Sequence, residues 1–247
     1  MNDNETRRLD WLVQHPVFNF ILPGAAVALV LISEFLVFAV VPGERVMGAV
    51  QRVFYFHVGA AIAAYFMIAV VFAGSCLYLV TRRSLWDALA ESAASVAFLL
   101  CSIVLLSGMI WGHSAWNTWW RWEPRLVTSL MLWLILLSYI ITRRVSASHE
   151  RRRNFAAVLG IVSAVNVPIV IFSIQLLEQT QQLHPQVVAK QGLQHPAYWY
   201  ALACATAGLL LTAVWLASVK TVNKLLELEA ERLLRELRLT ARRWRNA

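Results

Sequence analysis

The chain has 247 residues, of which 59% are hydrophobic and 15% are charged, and its mean hydropathy is +0.59. Soluble globular domains carry about 25% charged residues, so this composition excludes an ordinary soluble fold and indicates a membrane protein. The formal net charge of +8 gives no reason to invoke nucleic acid, because the basic residues fall between the apolar stretches.

Six apolar stretches are long enough to cross a bilayer, because a helix that spans the hydrocarbon core needs about 20 residues. They cover residues 19–41, 57–80, 93–111, 125–142, 155–177 and 198–219. No small-x-small cleavage pattern follows the first stretch, so we interpret it as a retained span and not as a signal peptide. The sequence therefore predicts an all-α integral membrane protein with six transmembrane helices.

Lysine and arginine divide unequally between the two sides of these spans. Of the 22 basic residues, 17 fall in the N-terminus, the second and fourth connections and the tail, and 5 fall in the other connections. Short cytoplasmic loops hold the excess of positive charge, so both termini are predicted to be cytoplasmic. Residues 1–18 then form the cytoplasmic N-terminus, residues 19–219 the transmembrane domain, and residues 220–247 a basic cytoplasmic helix that continues the sixth span.

One carboxylate and three thiols lie within the predicted spans. A carboxylate at Glu34 costs on the order of 2.5–3.5 kcal/mol in the membrane. We therefore expect Glu34 to face the bundle interior or to be protonated, with a structural hydrogen bond or a part in a ligand path. Cys76, Cys101 and Cys204 show no Cys-x-x-Cys spacing, and are predicted to be small packing residues.

The segment WGHSAWNTWWRWEPR, residues 111–125, holds five of the 11 tryptophans. When it is wound at about 100° per residue, one half of the cylinder carries Trp111, Trp116, Trp119, Trp120, Trp122 and Glu123. The other half carries His113, Ser114, Asn117, Arg121 and Arg125. This pattern predicts a short amphipathic helix that lies flat on the outer face and ends near Trp122. Pro124 is then expected to open the fourth span.

Two interpretations of this tryptophan segment stay open on chemistry alone. Tryptophan settles at membrane interfaces, so the segment could be an elaborate aromatic belt. It could also be a platform for a large, flat, apolar ligand with anionic groups at its edge. The indoles would supply the stacking surface, and Arg121 and Arg125 would clamp carboxylates.

Two histidines on the predicted outer side favour the platform. His57 lies where the second span begins, and His184 precedes Pro185 in the third outer loop. Iron in a porphyrin takes one axial ligand from each face, and histidine is a common choice. His113 and His195 compete for this role, but His113 falls on the wet half of the projected helix and His195 adjoins the sixth span.

These motifs together resemble a known family of haem-handling membrane proteins. Its WWD motif is similar to Trp111-Gly112, Trp116, Thr118-Trp119-Trp120, Trp122-Glu123, Arg125-Leu126 and Ser129. Its two histidine motifs are similar to Phe54-Tyr55-Phe56-His57-Val58 and Leu183-His184-Pro185. The chain as a whole resembles the CcmC family, the haem exporter protein C of c-type cytochrome maturation.

The resemblance implies a six-helix protein of the bacterial inner membrane that binds haem b non-covalently at its outer face. The tryptophan segment would hold the porphyrin, and His57 and His184 would ligate the iron. Implied partners are an ABC-type ATPase and permease, a small single-span membrane subunit and a periplasmic haem chaperone. This chain has no Gly-x-x-x-x-Gly-Lys-Ser/Thr phosphate loop, so ATP hydrolysis is expected in a partner and this protein is not expected to be an enzyme.

Two positions depart from the family pattern. The motif usually ends in aspartate and a small residue, where this chain has Glu123 and Pro124, and Asn117 stands where glycine is more usual. Glutamate keeps the carboxylate but reaches further than aspartate. The alternative roles for Glu123 are contact with the haem, capping of the fourth span and orientation of a partner. Neither change removes an indole ring or a candidate iron ligand.

Two other functions are alternatives. The first is a cytochrome c synthase, a haem lyase that attaches haem to Cys-x-x-Cys-His substrates, but the outer loops here are short for holding an apocytochrome. The second is a small-molecule transporter with an aromatic belt. Apart from Glu34, the spans lack the ionisable residues expected along a polar pathway.

Overall fold

The computed structural model describes residues 15–43, 48–145, 149–176 and 195–245. Within these ranges, six helices are long and apolar enough to cross a membrane. The predicted all-α, six-span architecture is confirmed.

The helices follow one another along the chain. Helix α1 is Leu22–Phe35, with single π-helical turns before and after it at Val17–Ile21 and Leu36–Val40. A short 3-10 turn at Ala49–Gln51 leads into the second helix. The remaining five are α2 Arg52–Thr81, α3 Ser84–Trp116, α4 Pro124–Val145, α5 His149–Leu176 and α6 Pro196–Arg245.

Helix α2 is the centre of the bundle and packs against α3, α5 and α6. Its contact with α3 is the most extensive, and the core there consists of small side chains that are fully buried, among them Ala60, Ala63, Ala93 and Ala97. Small residues let two transmembrane helices approach closely and gain van der Waals contact along their length. Helix α1 instead packs mainly on α6, so it lies at the edge of the bundle.

Helix α3 begins well before the predicted third span. The expected start was residue 93, yet the connection from α2 is only Arg82 and Arg83, and α3 starts at Ser84. The hydropathy pattern did not predict this start, because the charged residues Asp87 and Glu91 lie in the first turns of the helix. Arg143 forms ion pairs with both carboxylates, so the helix includes them without interruption.

The expectation that Glu34 faces the bundle interior is wrong, because its side chain is exposed on α1. The neighbouring residue Ser33 takes the buried position, and its hydroxyl donates a hydrogen bond to the carbonyl of Ala201 at 3.1 Å. Successive helical residues point about 100° apart, so burying Ser33 turns Glu34 away from α6. Of the three cysteines, Cys101 is buried in the core, and Cys76 and Cys204 are partly exposed.

The sixth span continues without a break into the tail. Helix α6 has 50 residues, and beyond Leu225, which is buried beside Ala88, most of its described side chains are exposed. The predicted helical continuation past residue 219 is therefore observed.

Candidate functional site

The tryptophan segment does not form a separate helix, contrary to prediction. Helix α3 runs through Trp116 and ends at Asn117, which has left-handed backbone angles of φ 53° and ψ 35°. The N–H of Asn117 donates to the carbonyl of His113 at 2.9 Å, which caps the helix. Asparagine and glycine are the residues that adopt this conformation most readily, so the cap explains why either one suits this position.

Residues 117–123, here called the strap, are not helical and return the chain to the bundle. The hydroxyl of Thr118 donates to the carbonyl of Trp120 at 3.1 Å, which holds a local turn. Gly112 permits a close approach, since a β-carbon there would lie 3.2 Å from the Thr118 carbonyl oxygen. Pro124 then opens α4, as predicted.

A cavity of about 370 Å³ lies beneath the strap, between α2, α3, α4 and α5. This volume falls in the range of small-molecule sites, about 300–1,000 Å³. Its deeper part is apolar, with Ala61 and Ile62 from α2, Val104 and Leu105 from α3 and Val170 from α5. The cavity is therefore a pocket that is aromatic and charged beside the strap and apolar elsewhere.

His57 lies in the wall of this cavity and is only 9% exposed. Its Nδ1 is 2.9 Å from the hydroxyl oxygen of Ser107 on α3. When the single hydroxyl proton of Ser107 is donated to the carbonyl of Ile103 at 2.6 Å, the serine oxygen accepts and Nδ1 carries the imidazole proton. In that tautomer Nε2 holds the lone pair.

Four tryptophans line the cavity, namely Trp111, Trp116, Trp119 and Trp120. The ring of Trp111 is 3% exposed and meets the His57 ring edge-on at a centroid distance of 5.9 Å. The Trp116 ring lies 6.0 Å from that of Trp111 at an interplanar angle of 38°. Indole surface and one imidazole therefore converge on the same space.

The charged residues of the segment reach the same cavity, although the helical projection placed the arginines on the opposite half from the indoles. Arg121, Glu123 and Arg125 all contribute to the lining. Arg125 donates from one guanidinium nitrogen to the carbonyl of Ile171 on α5 at 2.7 Å. The side chain of Glu123 is buried, and one of its oxygens lies 3.9 Å from Nε of Arg121.

Two buried donors of the lining lack a partner in the described structure. They are Nε of Arg125 and the indole nitrogen of Trp120. Buried N–H groups without an acceptor are rare, because leaving one unsatisfied costs about 1–3 kcal/mol. Both donors border the cavity, so an acceptor group on a ligand would satisfy them.

The sequence profile of the CcmC family, described as heme exporter protein C, matches residues 9–236. The chain belongs to this family. It is 32% identical over 174 residues to the heme exporter protein C of Bradyrhizobium diazoefficiens, a match that spans 70% of this chain and 65% of that relative. It is 29% identical over 230 residues to that of Rhodobacter capsulatus, across 92% of this chain and 89% of the relative. The protein of Escherichia coli K12 is 26% identical over 195 residues, or 79% of this chain and 78% of the relative.

The predicted family resemblance is thus confirmed, and the protein is a multi-pass membrane member of the CcmC family. The structure places one predicted site residue outside the cavity and does not describe another. Trp122 is 75% exposed and lies outside the cavity lining, with its ring edge-on to Trp120 at 5.8 Å. His184 falls in residues 177–194, outside the described part of the chain, so its role as an iron ligand stays a prediction.

The two competing histidines are engaged elsewhere. The ring of His113 stacks on Trp119 at a centroid distance of 4.1 Å and an angle of 21°. Nδ1 of His195 accepts a hydrogen bond from the backbone N–H of Ala197 at 3.2 Å, at the start of α6. Neither residue contributes to the cavity lining.

Sequence reasoning missed the residues that support His57 from α3. Ser107 holds the imidazole, and Gly108 gives it room, because a β-carbon at that position would lie 3.2 Å from Cε1 of His57. One signal was available, since Ser107 precedes Trp111 by four residues and therefore shares its helix face. The α5 contribution, Val170, Ile171 and Gln175, carried no comparable signal.

Proposed function

We propose that this protein binds haem b non-covalently in the cavity beneath the strap and delivers it to a periplasmic haem chaperone during c-type cytochrome maturation. Membership of the CcmC family supports this proposal, because the named relatives are heme exporter proteins. The chemistry of the cavity supports it independently, since the lining combines apolar side chains, four indoles, an imidazole and arginines.

The placement of His57 is the observation that carries the proposal. A histidine that ligates a metal is neutral, offers one nitrogen to the metal and donates its other N–H to a second-shell acceptor. His57 lies in the wall of the cavity, and its Nδ1 is 2.9 Å from the hydroxyl oxygen of Ser107. The tautomer that donates Nδ1–H to Ser107 leaves Nε2 for a metal in the cavity.

The remaining lining residues fit the shape and charge of haem. The macrocycle is flat and apolar, which suits Trp116, Trp119 and Trp120 as a stacking shelf. Its two propionates are carboxylates at one edge, and Arg125 and Arg121 would pair with them. We assign the second axial position to His184, and we expect the strap to bring the indoles over the porphyrin.

In this proposal the protein is a binding and transfer subunit and not an enzyme. It lies in the bacterial inner membrane with both termini in the cytoplasm and the strap on the periplasmic side, as the arginine and lysine distribution indicates. It works in an ABC-type complex with an ATPase, a permease and a small single-span membrane subunit. ATP hydrolysis belongs to the ATPase partner.

The test is the haem content and absorption spectrum of the purified full-length protein, oxidised and reduced. We expect bound haem with the spectrum of a bis-histidine complex in the wild type. His57→Ala and His184→Ala should each lower the haem content and change the spectrum, whereas His195→Ala should leave both unchanged. Wild-type haem content and spectrum in both His57→Ala and His184→Ala would contradict the ligand assignment.

A further inference from the structure

A second cleft lies at the opposite end of the bundle from the tryptophan cavity. Its walls are the C-terminal end of α4 and the middle of α6, and its floor is the N-terminal part of α3. Helices α4 and α6 each pack on α3 but not extensively on each other. A space of about 340 Å³ therefore remains between them.

The floor of this cleft is polar and rigid. Ser92, Tyr139 and Arg143 are all buried and all line it. Arg143 makes a bidentate contact with Asp87, at 2.6 Å and 3.0 Å, and a further ion pair with Glu91.

The charge of this floor is balanced internally. Arg153 approaches the same Asp87 carboxylate at 3.0 Å, so two arginines face two acidic residues. Glu91 also lines the cleft, but its pairing with Arg143 limits how strongly it would repel an anion.

The rim of the cleft carries cations that the floor does not compensate. Arg144 projects from α4, and Lys220 and Lys224 lie one turn apart on α6. Lys224 has a carboxylate neighbour, Glu227, at 3.5 Å. Arg144 and Lys220 are exposed and have no ion pair among the described residues. A net positive charge thus faces into a polar cleft from two different helices.

We propose that this cleft is a binding site for a phosphate-bearing anion, held between Arg144 of α4 and Lys220 and Lys224 of α6. Arginine and lysine are the side chains that bind phosphate oxygens, and the hydroxyl of Ser92 adds a donor at the floor. Lys220 follows directly after the apolar stretch 198–219, which puts the site at the depth of lipid headgroups. The phosphate can therefore come from an anionic phospholipid or from a free phosphate.

The cleft is a gap between α4 and α6 that a bound anion would fill. A bound phosphate would bridge α4 and α6, which have no extensive contact of their own. Occupancy would therefore stabilise the relative position of these two helices at this end of the molecule. The site shares no residue with the tryptophan cavity, so the two proposals stand or fall separately.

The experiment is native mass spectrometry of the full-length protein in detergent, titrated in separate arms with phosphatidylglycerol, phosphatidylcholine and inorganic phosphate. We expect phosphatidylglycerol to bind more tightly than phosphatidylcholine. In Arg144→Gln/Lys220→Gln its affinity should fall roughly thirty-fold, because each basic residue near an anionic headgroup contributes about one kcal/mol. A matched control, Arg235→Gln/Arg238→Gln, removes two charges from the exposed part of α6 and should bind as the wild type does.

The arms separate the sources of the phosphate. Binding of inorganic phosphate that is lost in Arg144→Gln/Lys220→Gln, without a preference for phosphatidylglycerol, would support the site and assign it to a free anion. The proposal would be overturned if, for each probe, the cleft variant bound as tightly as the wild type and the control. Arg144→Lys keeps the charge and should retain most of the affinity, which distinguishes loss of the site from loss of the fold.

Discussion

Ser107 places its hydroxyl oxygen 2.9 Å from Nδ1 of His57 across the contact between α2 and α3. The serine also donates a hydrogen bond to the carbonyl of Ile103 one turn earlier, at 2.6 Å. With its single proton on that carbonyl, the serine oxygen accepts from Nδ1–H and the imidazole lone pair is on Nε2. The packing of two apolar helices thus places beside His57 a group that favours this tautomer.

Replacing Ser107 by alanine should weaken haem binding without unfolding the bundle. Loss of a second-shell partner typically lowers metal affinity by 10–100-fold, because the ligand's tautomer and orientation are no longer held. We expect a decrease of that size in the haem affinity of Ser107→Ala, measured by titration of the haem-free protein and followed by absorbance. Ser107→Thr keeps the hydroxyl and should restore much of the affinity.

Ser138→Ala is the matched control for this prediction. Ser138 also donates to a carbonyl one turn earlier on a transmembrane helix, at 2.8 Å, but it contacts no histidine. Its loss should leave haem affinity unchanged. Equal affinity in Ser107→Ala and the wild type would show that Ser107 does not position His57.

A methyl group at position 108 should displace the His57 ring. The β-carbon of Gly108→Ala would lie 3.2 Å from Cε1 of His57, so the imidazole has to move by a few tenths of an ångström. We expect a shifted haem absorption spectrum in Gly108→Ala and loss of haem in the bulkier Gly108→Val. Gly24→Ala, where nothing lies within 4 Å of the new carbon, should have no effect, and an unchanged spectrum in Gly108→Val would contradict the placement of His57.

Arg125 is expected to recognise a carboxylate and not the porphyrin ring. Its buried Nε has no acceptor in the described structure, and a hydrogen bond to a charged group contributes about 1.5–3 kcal/mol. Arg125→Leu should therefore bind haem roughly 10–100-fold more weakly. Haem dimethyl ester lacks the carboxylates, so wild type and Arg125→Leu should bind the ester about equally. The same loss with haem and with its ester would assign Arg125 a structural role instead.

The sequence predicted the spans and drew attention to several residues that line the cavity, because both depend on local patterns. Apolar length identified the six helices, and the density of tryptophan together with His57 identified the cavity wall. Helix boundaries were less predictable. Asp87 lies inside α3 because Arg143, 56 residues away, neutralises it, and no local pattern carries that information.

The conformation of the strap was also beyond local reasoning. The spacing of indoles suited a helix as far as Trp122, but one left-handed residue, Asn117, ends α3 six residues after Trp111. Asparagine is compatible with a helix interior and with a C-cap, so the sequence alone does not choose between them. Without the cap, the arginines appeared to face away from the indoles, whereas the strap brings both to one cavity.

The left-handed cap at Asn117 leads to a stability prediction. Asn117→Gly should be neutral or slightly stabilising, because glycine adopts positive φ without strain. Asn117→Val should lose roughly 1–2 kcal/mol, since a β-carbon with two branches clashes in this conformation. Thermal unfolding in detergent measures the difference. Thr118→Val changes the neighbouring residue, which has no positive φ, so it serves as a control for altered strap packing.

The ion cluster on Asp87 should be the most sensitive polar group at the end of the bundle away from the strap. Arg143→Ala would leave the buried carboxylate of Asp87 with only Arg153, and the partly exposed carboxylate of Glu91 without its ion pair. Breaking a buried pair on one side costs about 3–5 kcal/mol. We expect a large decrease in thermal stability and in the yield of folded protein. Arg232→Ala removes an arginine of the exposed pair with Glu236 at 3.1 Å, where the cost is below about 1 kcal/mol. Similar unfolding temperatures for the two variants would mean that the cluster is hydrated and contributes little.

The double variant Arg143→Met/Asp87→Leu provides a further check, because removing both charges together should recover part of the stability that Arg143→Ala loses.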